Sequence, residues 1–184
     1  MHVRFASSAD LDCLEGIEDA ADRMFLDVFG EVEWPSASTG AWRAAQPGFL
    51  LVAGVEVYGF AHVLEVDGEA HLEQLAVEPD SQRRGAGTTL VRAALTEVAA
   101  RGYDSLSLRT YADIPWNAPF YARLGFAVAE PTSTFQLSLV AKEQAMHLMD
   151  YGPRVLMRAR SGPIHSGGSG SIGRIDATTP QSQP

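Results

Sequence analysis

The chain has 184 residues, 46% hydrophobic and 20% charged, the balance of a globular protein with room for a core. Its 23 acidic residues outnumber 14 basic ones for a net charge of −9, which argues against nucleic-acid partners and anionic membranes and makes any basic site a local one. A lone cysteine, Cys13, excludes an intrachain disulfide framework, and no apolar run approaches the roughly 20 residues of a membrane span or resembles a signal peptide, so the expected location is the cytoplasm.

In chain order, residues 2–6 form a short strand, and Ser7 caps a helix with Asp10 in its first turn. That helix carries Leu11, Leu14, Ile17, Ala21 and Met24 at three- and four-residue spacing, one apolar stripe for a core. Residues from about 25 to 48 read as irregular, with a short helix near Trp42. Two strands, 49–55 and 56–65, meet at a tight connection at Gly54, and Asp67-Gly68 is a hairpin turn into a strand over 70–77.

Pro79 and Asp80 end that strand. The helix that follows shows Leu90, Val91, Ala94, Leu95 and Val98 on one side, with Arg101 in its last turn and Gly102 closing it. A strand over 105–110 comes next, and strand, helix, strand in this order implies a right-handed parallel crossover. Asn117 caps a short helix with Pro119 in its first turn, residues 126–129 resume an extended path, 137–149 are helical and 155–160 form a last strand. Residues 1–160 are thus one α/β domain. Residues 161–184, rich in Gly, Ser and Pro and without an aromatic residue, cannot offset their ordering entropy and read as a disordered tail.

The chemistry concentrates where the fourth strand hands over to a helix, at Gln82-Arg83-Arg84-Gly85-Ala86-Gly87. A glycine-rich turn that opens a helix leaves backbone N–H groups unpaired at the positive end of the helix dipole, which makes it an anion site. Gly85 and Gly87 allow close approach and the arginines supply positive charge. Neither the dinucleotide fingerprint nor the nucleotide triphosphate loop fits, because Leu90 stands where the first needs Gly or Ala and no Lys-Ser or Lys-Thr pair completes the second.

The string LAVEPDSQRRGAGTTLVRAAL resembles the acetyl-CoA-binding motif of the GNAT superfamily of N-acetyltransferases, matched at Gln82, Gly85 and Gly87. The later NAPFYARLGF resembles that family's second signature at Asn117, Phe120, Tyr121, Gly125 and Phe126. The resemblance implies a central mixed, mostly antiparallel sheet of about six to seven strands, splayed between two parallel central strands and flanked by about four to five helices. It also implies acetyl-CoA as co-substrate, with the pantetheine arm on the strand edge at Leu75, Ala76 and Val77. The pyrophosphate would rest on the amides of Arg83, Arg84, Gly85, Ala86, Gly87 and Thr88, with Asn117 and Phe120 beside the cofactor. No metal is expected, since His62, His147 and His165 show no ligand spacing.

Acyl transfer needs an uncharged amine, a site for developing negative charge and a proton for the departing thiolate. Alternation places His71 and Glu73 on one face with Leu75 and Val77, and members of the superfamily keep a base on this strand. Glu73 is the first candidate and His71 the second, each weighed against an idle hydrogen-bonded position. The resemblance makes Tyr121 the acid that protonates the thiolate, and a backbone N–H near Leu75 would hold the oxyanion. Phe25, Phe29 and Trp34 could wall an acceptor pocket, although packing alone explains them equally well. The expected activity is transfer of acetyl to a primary amine of a small molecule by direct attack in a ternary complex. A protein lysine or N-terminal acetyltransferase and a non-catalytic acyl-CoA-binding sensor are the alternatives, and a homodimer is an open option for the assembly.

Overall fold

The computed structural model describes residues 2–30 and 35–162. Trp34 and residues 163–184 of the tail expected over 161–184 lie outside the described residues. Seven strands, β1 (Val3–Phe5), β2 (Gly48–Ala53), β3 (Gly59–Val66), β4 (Glu69–Val77), β5 (Ser105–Tyr111), β6 (Ala127–Ala129) and β7 (Arg154–Arg160), form one sheet. Their spatial order is β1-β2-β3-β4-β5-β7-β6. Only β4 and β5 run parallel; every other neighbouring pair is antiparallel. Around the sheet lie α1 (Leu11–Phe29), α2 (Gly40–Ala44), α3 (Ala86–Ala100), α4 (Ala118–Ala122) and α5 (Thr134–Ala145).

The apolar stripe of α3, Leu90, Val91, Ala94, Leu95 and Val98, is wholly buried. It joins Leu51, Ala61, Val63, Leu72, Leu106, Leu108 and Met157 in the larger core on one face of the sheet. On the other face Leu14 and Ile17 of α1 pack on Leu50, Val52, Phe60 and Ala76. Burying each of these Leu, Val or Ile side chains contributes roughly 1.5–3 kcal/mol, so α1 and α3 clamp the sheet from opposite sides.

Several boundaries differ from the sequence reading. Helix α1 runs on into the start of the stretch expected to be irregular, as far as Phe29, because Phe25 and Phe29 extend its stripe by one more turn and stack with ring centroids 5.8 Å apart. It stops at Gly30, whose φ is 75°. Residues 54–57 form a turn, so the third strand starts only at Gly59 and not at 56. Helix α5 begins earlier, where the Ser133 side chain accepts the N–H of Gln136. It is followed by a separate 3-10 turn, Leu148–Tyr151.

The most consequential correction concerns β4. His62 pairs with Gln74 while the next residue, Val63, pairs with Leu72, so Glu73 has no counterpart on β3. This bulge inverts the alternation. Glu73 stays on the α1 face with His71, whereas Leu75 and Val77 turn to the α3 face. The expectation that all four share a face is therefore wrong, because simple alternation holds only in an unbroken ladder. The bulge also bends β4 away from β5: their pairing is confined to Ala70↔Leu106, His71↔Ser107 and Leu72↔Leu108. Beyond Leu72 the two parallel strands part.

Candidate active site

A cleft of about 800 Å3 occupies the opening between the diverging strands, within the size range of small-molecule sites. Its floor includes Leu72, Glu73, Leu75 and Val77 of β4 and Leu108 and Arg109 of β5. The edge of β4 from Glu73 onward has no β5 partner, so its backbone groups are open to an extended ligand.

The anion turn forms one end. Gln82 donates from its side-chain amide to the carbonyl of Val77 at 2.9 Å, which folds the loop back on the strand it leaves. Arg83 and Gly85 both adopt left-handed angles, with φ of 58° and 87°, and Gly85 takes this conformation without the steric penalty a side chain brings. Thr89 makes the first bond of the helix to the carbonyl of Gly85 at 2.9 Å. Helix geometry leaves the earlier N–H groups of Ala86, Gly87 and Thr88 without intrahelical partners, and all three residues line the cleft. A Cβ placed on Gly87 would stand 3.4 Å from the Phe120 ring, so a larger residue would fill the cradle. Arg83 and Arg123 also line this end, while Arg84 is exposed and outside the wall. Ala76 turns its side chain into the α1 core and can contribute only backbone. Unpaired amides, a side-chain-free approach and local positive charge fit a diphosphate-bearing cofactor such as coenzyme A.

Asn117, Phe120 and Tyr121 line the same cleft. Asn117 holds the N-cap position of α4 but not by side-chain capping; its side-chain Oδ1 accepts from the Thr110 hydroxyl at 2.5 Å, tying α4 to β5. Tyr121 packs edge-on to Phe120 and Phe126, and burial raises its pKa above the ordinary phenol value. The phenol is thus kept protonated at neutral pH, the state of a proton donor.

Beside Glu73, the other end of the cleft is built by residues the sequence reading did not single out as site residues. Arg43, on α2, is 2% exposed and donates to the carboxylates of both Glu18 and Glu73. Its position is set by close contact of α2 with α1, since a Cβ on Gly40 would overlap the Leu11 carbonyl at 2.1 Å. His62 Nδ1 lies 3.0 Å from Glu73, and a proton on Nδ1 makes it a second donor to that carboxylate. Burial alone would raise the Glu73 pKa, but the His62 bond and the Arg43 charge outweigh it and lower it, so Glu73 is held as the anion. Glu18 goes the other way: burial, reinforced by Asp22 and Glu73, overrides Arg43 and pushes its pKa up to about 7. A signal for Glu18 existed, an acid inside the stripe of Leu14, Ile17 and Ala21. His71 is buried against Ser107 and Phe135, away from the cleft wall, and desolvation lowers its pKa to about 4. Of the two expected bases, the structure brings only Glu73 to the cleft.

Phe25 stands in the cleft wall and contacts Trp116 and Tyr111 at 6.1 and 5.9 Å between centroids. Phe29 stacks on Phe25, meets Tyr111 and Tyr151 at a tilt and is outside that wall.

A family model described as the acetyltransferase (GNAT) family matches residues 14–126. Among solved structures, the chain is similar to the ribosomal-protein-S18-alanine N-acetyltransferase from Escherichia coli, at 22% identity and a TM-score of 0.59, covering 91% of this chain and 98% of that one. It is also similar to the PaiA N-acetyltransferase from Thermoplasma acidophilum in complex with coenzyme A, at 17% identity and a TM-score of 0.61, covering 86% and 98%. An aminoglycoside 6'-N-acetyltransferase complexed with coenzyme A matches at 17% identity and a TM-score of 0.59, covering 89% and 99%.

Proposed function

Because the chain belongs to the acetyltransferase (GNAT) family, we propose that it moves an acetyl group from acetyl-CoA to a primary amine of a small molecule by direct attack within a ternary complex. The observation that carries this reading is the juxtaposition, in one cleft, of the open β4 edge, the unpaired amides that start α3, and Tyr121. Acetyl-CoA supplies the activated thioester. The residues of this chain supply orientation and proton traffic.

Ala86, Gly87 and Thr88, with Arg83, hold the diphosphate, and the free edge of β4 beyond Leu72 aligns the pantetheine arm. A free alkylamine is mostly protonated at neutral pH. Glu73, fixed as an anion, draws the ammonium in, and Glu18, with a pKa near neutrality, accepts its proton directly or through water. The amine lone pair then attacks the thioester carbonyl, a backbone N–H near Leu75 stabilises the negative charge on its oxygen, and as the C–S bond breaks the Tyr121 phenol protonates the departing thiolate and regains, through water, the proton that the acetylated nitrogen sheds. Glu73 thereby moves from the expected base to an ammonium anchor, and Glu18 takes the base role. His71 has no part in this scheme.

The test is release of free thiol when the protein is mixed with acetyl-CoA and a panel of amines. Saturable, amine-dependent release is the expected result. No release above background with any amine, from folded protein that binds coenzyme A, would leave a non-catalytic acyl-CoA sensor as the better reading.

A further inference from the structure

The acceptor end of the cleft has two banks of opposite charge. On the α1 bank, two acids in the wall, Glu18 and Glu73, share the guanidinium of Arg43. Across the splay, one residue beyond the last β4–β5 pair, Arg109 projects from β5 on the same face of the sheet as Glu73. Arg109 and Arg154 share one carboxylate: Arg109 Nε donates to Glu143 at 2.7 Å and an Arg154 Nη donates to its other oxygen at 2.8 Å.

Among the described residues, two guanidinium groups against one carboxylate leave an excess positive charge in a wall where the Arg109 and Arg154 side chains are only 5% and 13% exposed. Lys142, also in the wall, adds to it. Uncompensated charge in such a place is unfavourable unless a counter-ion visits. Among the described residues Arg154 Nε is buried without a hydrogen-bond partner, and the guanidinium is steadied by the Tyr111 ring at 4.6 Å from its centroid. A fixed, partly unsatisfied arginine pair suits a carboxylate.

We propose that the acceptor is an amino acid, its ammonium taken by the Glu18–Glu73 bank and its carboxylate by Arg109 and Arg154. This rests on the acetyl-transfer reading above and narrows it from amines in general to amines that carry a carboxylate. Arg109 and Arg154 are specificity-determining residues; the chemical step needs neither. The aromatic wall of Phe25, Tyr111 and Trp116 is left for the amino-acid side chain.

The experiment compares the standard L-amino acids with their C-terminal amides, in two formats. In thiol-release assays with acetyl-CoA, the best amino acid is expected to have a KM about tenfold or more below that of its amide, the worth of one charge-assisted contact. Arg154→Gln should bring that ratio close to one mainly through KM, and Arg154→Lys should restore part of it. The coenzyme A affinity measured in parallel reports whether either variant is folded. In calorimetry on wild-type protein saturated with coenzyme A, the amino acid should bind about tenfold or more tightly than its amide. Turnover of amides or plain amines as good as that of the amino acids would overturn the proposal while leaving acetyl transfer intact. Calorimetric binding of amino acids without thiol release would overturn acetyl transfer and leave the carboxylate site standing. If neither amino acids nor amides bind, or if the variant raises both KM values equally, the proposal fails.

Discussion

Replacing Glu18 with glutamine changes the pH dependence of stability in a direction the structure dictates. In the unfolded chain this carboxyl releases its proton near 4.5, whereas in the fold burial holds the proton until about 7. Between those values the folded state binds more protons than the unfolded state, so stability falls as pH rises through the window. The penalty is absent below it and complete above it. The rise from 4.5 to about 7 corresponds to roughly 3 kcal/mol. Glutamine cannot ionise, and its amide oxygen can still accept from Arg43, which keeps Glu73 as its charged partner. Glu18→Gln should therefore gain stability over wild type between pH 5 and pH 8, by up to roughly 3 kcal/mol. Guanidinium unfolding curves of both proteins at the two pH values give the number. Parallel curves, with the same difference between variant and wild type at pH 5 and pH 8, would refute the claim that this carboxyl is buried and holds its proton to neutrality.

Three further outcomes are expected. Tyr121→Phe should bind coenzyme A as wild type does and lose about 10²–10⁴-fold in kcat, the range of general acid catalysis; steady-state kinetics with unchanged kcat would remove this tyrosine from the mechanism. Gly87→Val fills the approach beside Phe120 and should weaken coenzyme A binding by about tenfold or more with an unaltered circular dichroism spectrum, whereas unchanged affinity would mean the diphosphate lies elsewhere. Arg43→Met strands Glu18 and Glu73 without their guanidinium and should destabilise the protein by about 3–5 kcal/mol at pH 8, with part of the loss recovered at pH 5 as Glu18 takes up a proton; an unchanged Tm would contradict the account of that cluster.

What could be read from the sequence was what depends on local pattern. The stripe of α3, the turn at Asp67-Gly68, the parallel pair flanking α3 and the glycine-rich turn that opens α3 all follow from residues near one another in the chain, and each is present in the structure. The acceptor end depends on contacts across the chain. Arg43 reaches Glu18 and Glu73 over separations of 25 and 30 residues, and Arg109 meets Glu143 over 34; no periodicity announces such pairs. The bulge at Glu73 was hidden for a related reason. A one-residue insertion into a ladder is visible only against the partner strand, and it changes which face Leu75 and Val77 occupy. The burial of Glu18 was the partial exception, since an acid on an apolar stripe is a local anomaly.

The grip of the α3 N-terminus on a diphosphate is the claim on which the cofactor, the orientation of the cleft and the acceptor end all depend. Isothermal titration of the folded protein with coenzyme A and, separately, with pantetheine tests it most directly, because the two share the thiol arm and differ in the diphosphate-bearing nucleotide. Saturable binding of coenzyme A, with pantetheine weaker by about a hundredfold or more, roughly 3 kcal/mol, is the expected result. Equal affinities for the two, or no saturable heat with coenzyme A, would contradict it.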